Sequence, residues 1–277
     1  MKTTMKQHPI IVAVIALLIG VGGIHLLAGT GYPMMSFGRL ILTAIMVSIM
    51  VTMKDKTLLS TQKGDLHFVF KKSIYVLFLS CFPVLFSLLR FVFEDVTFTN
   101  QMMMEVLIAA FLCITIGLFE ETLFRGVVLR NLLYKTHATR KALIICAIIS
   151  SLIFGFVHVY PYFLEGSYNM IGLIQVILKT IQCAAFGFLL AALYIKTKNI
   201  WAIAIIHIIN DFILMVATIV TGSFGLADTY VDSGIVGIGS IFIYLIMFFL
   251  YIPAIRSATK ILKSIELDEL KKKFTTA

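Results

Sequence analysis

The sequence predicts an all-α, polytopic membrane protein with about eight transmembrane helices, and three observations lead to that reading. Of its 277 residues, 60% are apolar and only 13% charged, with a mean hydropathy of +1.01. Soluble domains run about 45–50% apolar and about 25% charged, so too few charges remain to coat one water-facing core. Apolar runs of roughly 20 residues recur along the chain, and that is the length a helix needs to cross hydrocarbon. The basic residues fall in short segments between those runs, the distribution that orients membrane proteins. A net charge of +9 is therefore no nucleic-acid signature. Cys81, Cys113, Cys146 and Cys183 all lie in apolar runs and read as reduced, buried thiols, not as a disulfide scaffold. The 23 phenylalanines, with abundant Ile and Leu, rule out disorder.

The spans follow in order. The first run, 9–29, trails Lys2 and Lys6 in the manner of a secretory leader, but it is too long and 20–32 holds no small-residue cleavage site, so it is expected to be retained. The turn Thr30-Gly31-Tyr32-Pro33 separates it from 34–53. After the basic stretch with Lys63, Lys71 and Lys72 come 73–93 and 102–124. Arg140-Lys141 precedes 142–160, and 170–195 and 200–221 follow, the latter closed by Thr221-Gly222-Ser223. The last span is 235–254, and 255–277 is a basic tail. Ile261, Ile265 and Leu270 alternate there with Lys and Glu, as in an interfacial helix on anionic lipid or a solvated tail. No internal repeat or separate soluble domain is visible, so 1–277 reads as a single membrane domain.

Every Lys and Arg except Arg39, Arg90 and Lys179 falls on the side of the N-terminus when the spans alternate. The opposite loops carry Glu94, Asp95, Glu165, Asp228 and Asp232. Both termini are thus expected in the cytoplasm of a cell membrane, and the Lys- and Ile-rich composition fits a low-GC bacterium.

Ionisable groups inside the bilayer are expensive and mark function by default. Glu105, Lys179, His25 and Arg39 have ordinary explanations: closeness to a span end or a stem long enough to snorkel. Glu120, Glu121, His158, His207 and Asp211 differ in coming as helical sets. Glu121 and Arg125 are four apart, in the favourable acid-before-base order. Glu120 points about 100° away, so the two carboxylates are expected to differ, one held by Arg125 and the other facing a cavity and suited to proton transfer. The bland alternative is an acidic pair closing a basic loop. His158 ends its span with Phe154 on the same face, as many interfacial histidines do. His207 and Asp211 are again four apart, and an Asp there can fix the imidazole's tautomer; Asn210 lies off that face. Two Glu, two His and an Asp make a water-activating set. H-E-x-x-H, G-x-S-x-G and paired membrane aspartates are all missing, which disfavours zincin, serine and aspartyl peptidases.

The motifs Glu120-Glu121-x-x-x-Arg125, Phe154-x-x-x-His158 and His207-x-x-x-Asp211 resemble the CPBP family of CAAX proteases and bacteriocin-processing (Abi) enzymes. That family is recognised by E-E-x-x-x-R, F-x-x-x-H and H-x-x-x-[ND] in this order. The resemblance covers 102–221. It implies helices around an intramembrane active-site cavity that admits a peptide or membrane-protein substrate. By the same resemblance Glu120 with His158 activates water, Glu121 on Arg125 supports the site, and His207 with Asp211 stabilises the oxyanion. Asp in place of Asn means either a protonated Asp211 or one that orients His207. Two histidines and carboxylates are also a zinc donor set, but the reading favours no metal and no cofactor. His158 lies at the wrong nominal depth by about 15 Å at 1.5 Å per residue. Running the fourth helix on past Arg125 through Leu133 would repair that.

The resulting expectation is an intramembrane endopeptidase in peptide maturation or bacteriocin self-immunity. The competing readings are a non-catalytic immunity or partner-binding protein and a small proton-coupled transporter, the last weakened by the lack of repeats or broken spans. Orientation is testable first. Single cysteines placed in 94–101, 161–169 and 223–234 of a cysteine-free variant should react with an impermeant maleimide on intact cells. Labelling only after permeabilisation would contradict the eight-span orientation.

Overall fold

A computed structural model describes residues 8–53, 61–93, 97–135, 139–164, 166, 168–222 and 231–266. Lys2, Lys6, Lys54, Lys56, Glu94, Asp95, Glu165, Asp228 and the tail beyond 266, which carried much of the charge and tail reading, lie outside the described residues. The chain forms α1 (Pro9–Leu27), α2 (Tyr32–Thr52), α3 (Asp65–Phe93) and α4 (Asn100–Glu121). A π-helical stretch, Thr122–Leu129, carries α4 without a break into α5 (Arg130–Lys135). Then come α6 (Arg140–Val157), a 3₁₀ turn (Tyr160–Phe163), α7 (Met170–Thr197), α8 (Ile200–Val220) and α9 (Gly234–Lys263). There is no strand among the described residues.

Among the described residues, eight helical segments are long and apolar enough to cross a membrane, with Asn100–Lys135 counting as one. Their exposed faces carry Leu18, Ile41, Phe78 and Phe242, an apolar surface that water would not tolerate and lipid does. The chain is thus an all-α, multi-pass membrane protein. The fourth helix does run past Arg125, to Lys135. At the other end, α9 continues through Pro253 to Lys263, so the first part of the basic tail extends the last span.

Local signals explain the boundaries. Pro9 and Pro33 sit in the first turns of α1 and α2, where the missing N–H costs nothing. Thr99, Thr139, Asn169 and Asn199 cap α4, α6, α7 and α8, each accepting a hydrogen bond from a backbone N–H three residues on. Helix α7 ends at Lys198 in the left-handed conformation, φ 59°. Asn199 also donates to Asp65 at 3.2 Å, tying the start of α8 to the start of α3.

The helices group into two compact units. One holds α1–α4 as far as Val128, together with α8; in it α1 packs on α2, α2 on α4, and both α3 and α4 on α8. Its core joins Ala109, Leu112, Cys113 and Ile116 of α4 to Met215 and Ile219 of α8. The other runs from Leu129 to Lys198 and includes α9. In it α7 packs on α6 and α9, and Arg140 donates to the carbonyls of Leu262, Lys263 and Ile265, closing the end of α9.

Gly117 sets the distance between α4 and α8. A Cβ there would lie 2.6 Å from Ile208 Cγ1 and 3.2 Å from the Ala204 carbonyl, so only glycine permits this approach. Gly117→Val should lower the melting temperature in detergent by an amount matching about 1–3 kcal/mol of overpacking. An unchanged melting temperature would mean that α4 and α8 do not depend on this contact.

Candidate active site

Glu120 and Glu121 close α4, and Arg125 falls in the π-helical stretch that follows. That stretch opens where Thr122 Oγ1 bonds back to the carbonyls of Leu118 and Phe119 at 2.8 and 2.9 Å. Short π segments recur at functional sites because they re-aim side chains. Arg125 Nη1 donates to Glu121 Oε1 at 2.8 Å, with the two side chains 1% and 0% exposed. The spacing of four does what the sequence predicts.

Helix α8 supplies the other half. His207, 2% exposed, places Nδ1 2.7 Å from Glu121 Oε1. A carboxylate paired with arginine only accepts, so this contact assigns a hydrogen to Nδ1, and Nε2 donates as well when the ring is doubly protonated. Nε2 lies 3.4 Å from Asp211 Oδ2 and 3.7 Å from Glu120 Oε2. Asp211 therefore shares a face with His207, as its spacing predicts. The closest partner of His207, however, is Glu121, eighty-six residues away in the chain, and no periodicity carries that information. The two glutamates do differ: Glu121 is sealed, whereas Glu120 is 19% exposed. Both nonetheless reach the same imidazole.

Asn210 was expected off this face and has its own place. Ser80 Oγ on α3 donates to Asn210 Oδ1 at 2.6 Å, and Asn210 Nδ2 to Asp211 Oδ1 at 3.3 Å. A polar chain thus runs Ser80, Asn210, Asp211, His207, Glu121, Arg125. Ser80 was not singled out from sequence. The signal was there: Ser73, Ser80 and Ser87, seven apart, are all buried, a small-residue seam on α3. An apolar recess of about 330 Å³ adjoins this chain, lined by Cys81, Val84, Leu85, Leu88, Phe212, Ile213 and Val216. None of the motif acids lines it.

His158 belongs to the second unit. It caps α6, with Nδ1 2.8 Å from the Phe154 carbonyl and its ring edge-on to Phe154 at 4.7 Å, which explains the four-residue spacing of that motif. Two further embedded groups are accounted for locally. Glu105 accepts from Gln101 at 2.9 Å, and Lys179 lies over the Tyr244 ring at 5.5 Å. Among the described residues no three His, Cys, Asp or Glu side chains converge on a metal-sized centre.

Because Glu121 and Arg125 are buried together, losing one leaves the charge of the other less well compensated. Arg125→Met should cost about 3–5 kcal/mol of stability, and adding Glu121→Gln should return part of it. Simple additivity in detergent melting curves would show that the pair is not a coupled unit.

Comparison with curated protein sequences and with solved structures gave no match. A family model did match, over residues 101–213, the stretch that holds all three motifs. The family is one of proteases. Over this stretch, from α4 into α8, the chain matches the family described as type II CAAX prenyl endopeptidase, Rce1-like, consistent with the CPBP resemblance read from its motifs.

Proposed function

We propose that the chain is an intramembrane endopeptidase in which a glutamate activates water. Glu120 takes one proton from a water whose oxygen attacks the peptide carbonyl. The carbonyl oxygen becomes an oxyanion beside His207 Nε2. Collapse of the tetrahedral centre breaks the C–N bond, and the proton held by Glu120 passes to the leaving nitrogen. The observation that carries this reading is the clamped His207, whose Nε2 lies within 4 Å of both Glu120 and Asp211. A fixed donor needs no reorganisation as charge develops. Asp211 orients that donor and is itself held by Asn210. His158 enters on its motif alone, as the partner of Glu120 in handling the water.

We infer that no metal takes part: Glu120 serves as the base for the water and His207, held at Nδ1 by Glu121, serves the oxyanion through Nε2, so the step needs no Lewis acid. The substrate class is a hydrophobic peptide or membrane-protein segment, in peptide maturation or bacteriocin self-immunity. The apolar recess beside Phe212 and Ile213 suits a side chain of such a segment.

The test uses the full-length chain in detergent with two internally quenched peptides. One carries a farnesylated cysteine three residues before its C-terminus, and the other is its unprenylated twin. Glu120→Gln keeps size but not basicity, so cleavage should fall about 10²-fold or more. His158→Ala should cost a similar factor and not add to it. Asp211→Asn should keep substantial activity, whereas Asp211→Leu should not. Dialysis against a strong chelator should leave the rate largely intact. Full activity in Glu120→Gln would end the glutamate reading, and strict recovery by stoichiometric zinc would end the metal-free one.

A further inference from the structure

The cluster is rich in carboxylates. Three carboxylates, Glu120, Glu121 and Asp211, surround His207, and the matched helices place one fixed cation, Arg125, against Glu121. Buried carboxylates are stabilised by nearby cations, and a helix outside the matched stretch carries a buried arginine.

That helix is α2. Its buried face is Ser36, Arg39, Leu42, Met46 and Met50, spaced three or four apart as one helix face requires. Two contacts fix its register against α4. Phe37 meets Phe111 edge to face at 5.9 Å, and Met50 Sδ lies 2.5 Å from where a Cβ on Gly126 would stand. The two helices therefore run parallel, and Arg39, two residues beyond Phe37, is level with Cys113, two beyond Phe111. Arg39 is 6% exposed and about 10 Å inside the start of α2 at 1.5 Å per residue, so it is no snorkelling end residue. Glu120 stands seven residues, about 10 Å, further along α4, a gap that the long arginine stem spans in part, so the guanidinium charge reaches Cys113 and Glu120 on the same face. The charged groups around Glu120 are then Glu121 and Arg125 of its own helix, His207 and Asp211 of α8, and Arg39 of α2.

We propose that Arg39 is a positioning residue of this site, its charge holding the Glu120 carboxylate in place from a helix that carries none of the motifs. With Arg39 counted, three carboxylates face two arginines and one imidazole, and a protonated His207 closes the balance. The inference rests on the peptidase reading for its catalytic meaning but not for its geometry.

Two measurements on the full-length chain in detergent test it. The first is a melting-temperature cycle of Arg39→Met, Glu120→Gln and the double variant. Arg39→Met should lower the melting temperature, and adding Glu120→Gln should recover part of the loss, because the stranded carboxylate is gone. The second is cleavage of the two quenched peptides. Arg39→Met should lower kcat about tenfold or more with KM within about twofold, and Arg39→Lys should restore most of it. Additive melting shifts, or wild-type kcat in Arg39→Met, would overturn the proposal. The melting cycle needs no substrate, so a wild-type chain that cleaves neither peptide counts against the peptidase reading and leaves the Arg39 inference to stand or fall on the cycle.

Discussion

The arrangement depends on one buried oxygen. Glu121 Oε1 receives Arg125 at 2.8 Å and His207 Nδ1 at 2.7 Å, and in doing so joins α4 to α8. An ionised carboxylate away from water survives only if it is paired and hydrogen-bonded. With both partners in place it becomes a rigid anchor, and the imidazole it holds can turn only so far. The close approach that makes this possible is set one turn earlier, where Gly117 admits Ile208. Packing at a small residue and electrostatics at a carboxylate are therefore two parts of one constraint.

Much of this was legible in the sequence, and the boundary of legibility is physical. Spacings of four predicted Glu121 with Arg125 and His207 with Asp211, because both partners of each pair ride on one helix. Hydrophobic run lengths predicted the spans, since hydrocarbon thickness leaves little choice. What could not be read were contacts between helices. The Glu121–His207 and Ser80–Asn210 bonds cross 86 and 130 residues. Arg39 reads from the sequence as a residue close to a span end, whereas α2 starts at Tyr32 and buries the face that carries it. Its register against α4 depends on Phe37 and Met50, which no pattern within α2 reveals.

The polar chain also explains why the serine and asparagine matter in a protein so poor in polar groups. Asp211 needs its second oxygen occupied if it is to hold one orientation toward His207, and Asn210 does this while being held by Ser80. A hydrogen bond to an ionised group is stronger than a neutral one, and hydrocarbon offers no water to compete. Three helices are thus tied by side chains too short to wander.

The adjacency of Glu120 and Glu121 has a geometric explanation. Neighbours on a helix diverge by about 100°, which argues against their sharing a task when each is considered alone. An imidazole, however, presents its two nitrogens on different edges. Glu121 takes the Nδ1 edge and Glu120 approaches the Nε2 edge, so the divergence that separates the two carboxylates is what lets them embrace a single ring. Only one of them can then be sealed by Arg125, and the other is left on the more open side, 19% exposed. A pair separated by three or four residues would stack both carboxylates on one edge of the ring and leave the other edge unguarded. The difference in surroundings between the two glutamates follows from the helical repeat and the shape of histidine.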